Sequence, residues 1–258
     1  MCTLAIYFQA TRDCPVVIAA NRDEFLERPA ADPTTLLEHP HVVGGKDLKA
    51  GGTWLGISQN GIVAGLLNRR AENGANPDAR SRGLLCLDAL RRGTAREAAE
   101  FASQERGSDY NPFNLLIVSR TEAFVAYNRG ASIEVVEIKP GLHLLSNLDL
   151  NDFECPKISA SYGKFAALGN REDFQRDPVG NRAALGALLA DHNTQLDPRS
   201  GRPNALCLHL DNYGTRSSSL IFLAADSTEI AHYFAPGPPC VTAYGAAMVP
   251  RREKEPNP

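Results

Sequence analysis

Runs of β-branched and aromatic residues separated by short polar turns fill most of this chain, and helical patterns interrupt them twice. The first run covers residues 2–9. A turn ending in Cys14-Pro15 leads to a second run over 16–22, and so short a link predicts an antiparallel hairpin. The second run is almost wholly apolar, which implies cover on both faces. It stops in four polar residues, Asn21-Arg22-Asp23-Glu24. Residues 28–50 carry Pro29, Pro33, Pro40, Gly44 and Gly45 and read as loop. Strands follow over 51–58 and 62–68, joined by the hairpin signal Gln59-Asn60-Gly61.

A helix is predicted to begin at Ser81-Arg82-Gly83, run through Leu90 and be stopped by Gly93. Thr94 caps the next, which runs to about Gln104, with Glu97 three residues on as a capping box. Strands return over 113–118, 123–127, 133–138 and 142–145. Residues 156–169 and 179–192 read as helices with a polar loop between, and strands close the chain over 205–210, 218–224 and 229–234. The charged, Pro-rich tail, 250–258, is expected to be disordered. Strands joined by hairpins do not give the βαβ alternation of a parallel sheet. The order predicts an α+β architecture: a four-layer αββα sandwich of two antiparallel sheets, formed as one domain over 1–249.

Composition narrows this picture. With 258 residues, 43% hydrophobic content and a net charge of −3, the chain is an ordinary globule with an ample core, and no nucleic-acid partner is expected. Arg69, Arg70, Arg80, Arg82, Arg91, Arg92 and Arg96 cluster locally, either as a solvated helical face or as an anion-attracting rim. No apolar run reaches the ~18 residues of a membrane span, and the amino terminus does not have the form of a signal peptide. Cys2, Cys14, Cys86, Cys155, Cys207 and Cys240 include no CxxC pair, so neither a disulfide framework nor a zinc site is expected. Reduced thiols and a cytoplasmic location follow, with Cys86 and Cys207 as small core residues. His39 and His41 flank Pro40 in what reads as a surface loop, and no metal is assigned to them.

Candidate chemistry starts at Cys2. Initiator Met before a small residue is usually trimmed. The cysteine would then carry its own α-amine, of reference pKa about 7.7–8.0, beside a thiol of about 8.5, so that a base and a nucleophile share one residue. Trp54, the sole tryptophan, either walls a pocket or packs in the core.

The strings Met1-Cys2-Thr3-Leu4, Ala20-Asn21-Arg22-Asp23-Glu24-Phe25, Gly52-Thr53-Trp54-Leu55-Gly56 and Tyr213-Gly214-Thr215-Arg216-Ser217-Ser218 occur in order along the chain. Together they resemble the NRDE family, also called the transport and Golgi organisation protein 2 family. The resemblance implies an Ntn-hydrolase-like αββα fold. It implies an activity less clearly, since members have been linked to haem trafficking and to lipid or acyl-CoA metabolism.

A more distant resemblance is to the choloylglycine hydrolase and penicillin V acylase group of N-terminal nucleophile enzymes. By that likeness Cys2 is the nucleophile, Asp23 holds its amine, and Asn68 and Asn147 are oxyanion donors. Ala20 falls where that group has an arginine. Arg22, two residues on and so on the same strand face, substitutes for it only if the strand bends or shifts, and Arg216 resembles the group's late arginine. Asn21, Arg22, Trp54 and Arg216 are the expected substrate-binding residues.

Two readings compete. One is a cysteine N-terminal nucleophile hydrolase acting on a small amide or (thio)ester and requiring no cofactor. The other is a non-catalytic carrier of haem or an acyl-CoA-like lipid. His143, His192, His209 and His232 lie in no recognisable haem string. Either way the expected partner is a small molecule.

Overall fold

A computed structural model describes residues 2–69, 74–193, 196, 201, 204–226 and 229–251. Strands β1 (Thr3–Phe8) and β2 (Val16–Phe25) form the expected hairpin. They are followed by β3 (Ala30–Leu37), β4 (Val42–Asp47), β5 (Leu55–Ser58), β6 (Val63–Asn68), helices α1 (Arg82–Leu90) and α2 (Ala95–Gln104), and strands β7 (Phe113–Val118), β8 (Ala123–Asn128), β9 (Ile133–Glu137) and β10 (Gly141–Leu145). Helices α3 (Pro156–Gly169), α4 (Glu172–Arg176) and α5 (Arg182–Leu189) precede β11 (Tyr213–Leu223), β12 (Ile230–Ala235) and the two-residue β13 (Gly245–Ala246). The α2 cap forms as expected: the Glu97 amide donates to Thr94 Oγ1, while the Glu97 carboxylate reaches back to the Gly93 amide rather than to Thr94.

The strands make two antiparallel sheets. One has the order β10-β1-β2-β11-β12-β13 and the other is the meander β3-β4-β5-β6-β7-β8-β9. Their inner faces meet in a core that includes Leu4, Ile6, Ile18, Leu55, Leu67, Leu116 and Ile221. Helices α1 and α2 cover the outer face of the meander through Leu85, Ala89, Ala98 and Phe113. Helices α3 and α5 cover the other sheet through Tyr7, Ile158, Phe165, Leu185 and Phe222. The layers are therefore α, β, β, α, as the element order predicts.

Three segments differ from expectation. Residues 28–50 are mostly two strands, β3 and β4, where the prolines and glycines predict loop. Pro33 is tolerated because β3 is a sheet edge with register shifts beside it. Residues 205–210, expected as a strand, instead form an irregular segment that makes one isolated bridge, His209 to Gly214, and gives the Cys207 amide to the Asp191 carbonyl. The tail begins later than 250: Pro250 is buried and the Arg251 amide donates to His41 Nδ1. Residues 252–258, and Arg70 of the basic cluster, lie outside the described residues.

Candidate active site

Strand alternation decides what the polar end of β2 can do. Leu4 pairs with Ala20 and Thr3 with Asn21, so Cys2, Ala20 and Arg22 share the face that looks into the space between the sheets. Asn21 and Asp23 point the other way, towards the helices. On the inner face is a small cleft lined by Cys2, Ala20, Arg22, Trp54, Leu67 and Ser219 among others.

Cys2 is half-buried and packs against the inter-sheet core. Its thiol lies 3.7 Å from the Asp23 carbonyl oxygen, and its own carbonyl accepts from Ser146 Oγ at 2.9 Å. Burial pushes the Cys2 thiol above its ordinary value and outweighs nearby positive charge, Arg22 included, that draws it down.

Arg22 is 7% exposed and lies with its guanidinium carbon 4.1 Å from the centre of the Trp54 ring. Desolvation lowers its pKa. Cys2, Glu24 and Asp47 act on it through space, without a side-chain hydrogen bond. Glu24 and Asp47 instead pair with Arg28, at 3.8 and 2.7 Å. Trp54 owes its position to Gly45: a Cβ there would fall 2.2 Å from the indole, so only glycine leaves the ring room to lie on β4. Arg82, at the start of α1, donates to the Pro112 carbonyl at 2.9 Å, and the charges of Glu24 and Cys2 reach it. One member of the local arginine cluster thus belongs to the surroundings of the site rather than to a solvated face.

Asp23 is enclosed on the opposite side. Its Oδ2 accepts from Lys157 Nζ at 2.8 Å, its Oδ1 from Thr215 Oγ1 at 2.7 Å, and its carbonyl from Tyr213 Oη at 3.0 Å. Lys157 sits in the first turn of α3 and is 1% exposed. Sequence reasoning missed it, because a lone lysine in a helical pattern gives no sign of facing a buried carboxylate.

The other expected residues fare differently. Asn21 borders the cleft, but its side-chain amide is engaged on the helix side. Its amide donates to the Leu189 and Leu206 carbonyls at 2.8 and 2.9 Å, and its oxygen accepts from Ser218 at 2.7 Å. Asn68 and Asn147 do not line the cleft. Asn68 ends β6 on the face opposite to Leu67 and is exposed. Asn147 follows Ser146, and its Oδ1 accepts from the Cys155 thiol at 3.6 Å. Arg216 occupies the bulge of β11 between Thr215 and Ser217, with its Nε buried and without a hydrogen-bond partner. Ser217 and Ser219, which the sequence did not single out, do line the cleft.

Away from the cleft, three segments that follow α5 bring cysteines and histidines together. Side chains of His192, Cys207, His209 and Cys240 converge, with their ligand atoms all within 4.8 Å of one another. Cys207 is buried, as expected, but it belongs to this group rather than to the apolar core alone. Burial, followed by the neighbouring Cys240, pushes its thiol up to about 12. His41 has its ring nitrogens engaged by Thr35 Oγ1 and the Arg251 amide. No helix among the described residues is long and apolar enough to cross a membrane.

Comparison with solved structures places the fold among N-terminal nucleophile hydrolases. An N-acylethanolamine-hydrolyzing acid amidase ortholog from Caenorhabditis elegans superposes with a TM-score of 0.54 at 14% identity, over 88% of this chain and 95% of that one. Penicillin V acylase from Agrobacterium tumefaciens gives 0.54 at 10% identity, over 91% of this chain and 82% of its own. A mutant of conjugated bile acid hydrolase from Clostridium perfringens gives 0.52 at 9% identity, over 100% and 99%. At these identities the likeness concerns the fold. In sequence, the Bos taurus Transport and Golgi organization protein 2 homolog is 32% identical over 234 residues, and the Homo sapiens homolog 30% over 233. Each alignment covers 82% of this chain and 83% of the relative. The Transport and Golgi organisation 2 family model matches residues 1–233, and the chain belongs to that family.

Proposed function

We propose that the protein is an N-terminal-cysteine hydrolase acting on a small amide or (thio)ester with an anionic group. The observation that carries this reading is the juxtaposition of the Cys2 thiol with Arg22, a buried guanidinium stacked on Trp54, in one cleft between the sheets. Removal of Met1 puts an α-amine on Cys2 itself. The sulfur then attacks the substrate carbonyl while its proton passes to that amine. The tetrahedral adduct collapses, the ammonium returns the proton to the leaving amine, alcohol or thiol, and water cleaves the acyl-thioester. By the resemblance Asp23, held by Lys157 and Thr215, is the residue that orients the amine. The resemblance assigns the oxyanion donors to Asn147 and Asn68, and either would have to turn towards the cleft to serve. Arg22 binds a carboxylate or phosphate of the substrate. The solved neighbours with amide-hydrolysing names support the reaction class and leave the substrate open.

The cleft lining favours a second reading. Leu4, Leu55, Leu66 and Leu67 beside Arg22 suit an acyl chain with an anionic head, and carriage without turnover would use the same contacts.

Intact-mass analysis before and after brief treatment with substoichiometric iodoacetamide, with the modified peptide mapped, separates the two. Loss of Met1 and labelling of Cys2 ahead of the other five cysteines are expected. Retention of Met1, or a Cys2 no faster than the rest, overturns the hydrolase and leaves carriage.

A further inference from the structure

The four side chains that converge behind the Cys2 sheet make a metal-binding polyhedron. Cys207 Sγ lies 3.6 Å from Cys240 Sγ and 3.6 Å from His209 Nε2, and His209 Nε2 lies 3.2 Å from Cys240 Sγ. A tetrahedral zinc ion with Zn–S near 2.3 Å and Zn–N near 2.0 Å separates its ligands by about 3.8 Å for S···S and about 3.5 Å for S···N. Three edges of the cluster thus have roughly the lengths that one shared ion imposes. The fourth corner, His192, stacks its ring on that of His209 with centroids 5.1 Å apart, and its ligand nitrogen lies within 4.8 Å of the other three ligand atoms.

The chemistry of the set is selective. Two thiols and two imidazoles, with no carboxylate among them, suit zinc and disfavour magnesium or calcium, which take oxygen ligands. Four protein ligands close the coordination sphere, which is the arrangement of a structural rather than a catalytic site. No short spacing motif announces the site. His192 follows α5, Cys207 and His209 lie on the irregular segment before β11, and Cys240 lies on the turn after β12.

We propose that His192, Cys207, His209 and Cys240 bind one zinc ion, which clamps three segments that share no continuous ladder. Binding releases one proton from each thiol to solvent, and each histidine coordinates as the neutral ring. The clamp sits directly behind the groups that hold the end of β2. Asn21 donates to the carbonyls of Leu189 and Leu206, and Leu206 immediately precedes a ligand. The Leu208 amide, between two ligands, donates to Thr215 Oγ1 at 2.9 Å, and that hydroxyl donates to Asp23. The inference does not depend on how Cys2 is read.

Untagged full-length protein, purified and reconstituted with zinc chloride, is the material for the test. Elemental analysis is expected to find zinc equimolar with protein, and X-ray absorption at the zinc edge is expected to fit two sulfur and two nitrogen neighbours. Chelation is expected to lower Tm, and zinc to restore it. Cys240→Ser is expected to weaken zinc binding by about 100-fold or more. His192→Ala, which alters an exposed ligand with no part in the core, is expected to do likewise while staying folded. Cys2→Ser is expected to keep the full zinc content. Absence of bound zinc after reconstitution, a shell of oxygen and nitrogen alone, or a Cys207–Cys240 disulfide in the non-reduced peptide map would each overturn the site.

Discussion

The two faces of β2 carry opposite kinds of chemistry within four consecutive residues. On the helix side, Asn21 and Asp23 are immobilised by Leu189, Leu206, Ser218, Lys157 and Thr215. On the inner side, Arg22 lies over Trp54 without a carboxylate bonded to it, and Cys2 has only a long contact to a carbonyl. One strand thus spends alternate side chains on scaffold and on site. A polar string at a strand end is two sets of residues with two fates, and which set is which follows from register alone.

The largest effect that would break this contrast is expected on the helix side. Lys157→Met strips the Lys157 charge from a buried carboxylate. Loss of one partner of such a pair costs about 3–5 kcal/mol, readable as a shifted midpoint in urea unfolding. An unchanged midpoint would show that the pair is not what holds Asp23. Next comes acid sensitivity on the inner side. His232 is buried beside Ser219, and desolvation lowers its pKa from 6.5 to about 4. As pH falls through 6.5 the unfolded chain takes this proton first. Stability present above 6.5 is therefore lost progressively down to about 4, by on the order of 3 kcal/mol. His232→Phe is expected to remove that part of the slope, and identical pH profiles for the two proteins would refute the assignment.

Asn21→Ala leaves two buried carbonyls without a donor. It is expected to destabilise by roughly 1–3 kcal/mol while leaving the Cys2 alkylation rate alone. A large fall in that rate at unchanged stability would put Asn21 back in the site. The smallest effect on stability is expected for Cys2→Ala, within about 1 kcal/mol, since one half-buried sulfur is lost. Any acyl transfer should vanish with it, and undiminished turnover would end the nucleophile hypothesis.

Sequence reading recovered the layers because sandwich strands announce themselves by apolar runs and hairpin turns. It failed at β3 and β4, where an edge strand tolerates Pro33 and close packing needs Gly44 and Gly45, so that residues typical of loops are what the sheet requires. At the site, Cys2, Arg22, Asp23 and Trp54 were readable from ordered strings. Lys157 and Ser219 were not, since only tertiary packing brings them there, and Arg82 and Ser217 appeared in the sequence without a place at the site. The His192–Cys240 cluster escaped for the same reason, its members joined by no local spacing.

The two sheets also differ in how far apart their strands lie along the chain. The meander is made of neighbours, whereas β1 and β2 wait for β10 and for β11, which begins at Tyr213. At a synthesis rate of about 5–20 residues per second, roughly 10–40 s pass before β11 leaves the ribosome. The β2 side of the hairpin that follows Cys2 is unpaired for that interval, while β10 is available to β1 earlier. The Met1 trimming that the N-terminal-cysteine reading requires thus has a window before β11 completes the sheet beside Cys2.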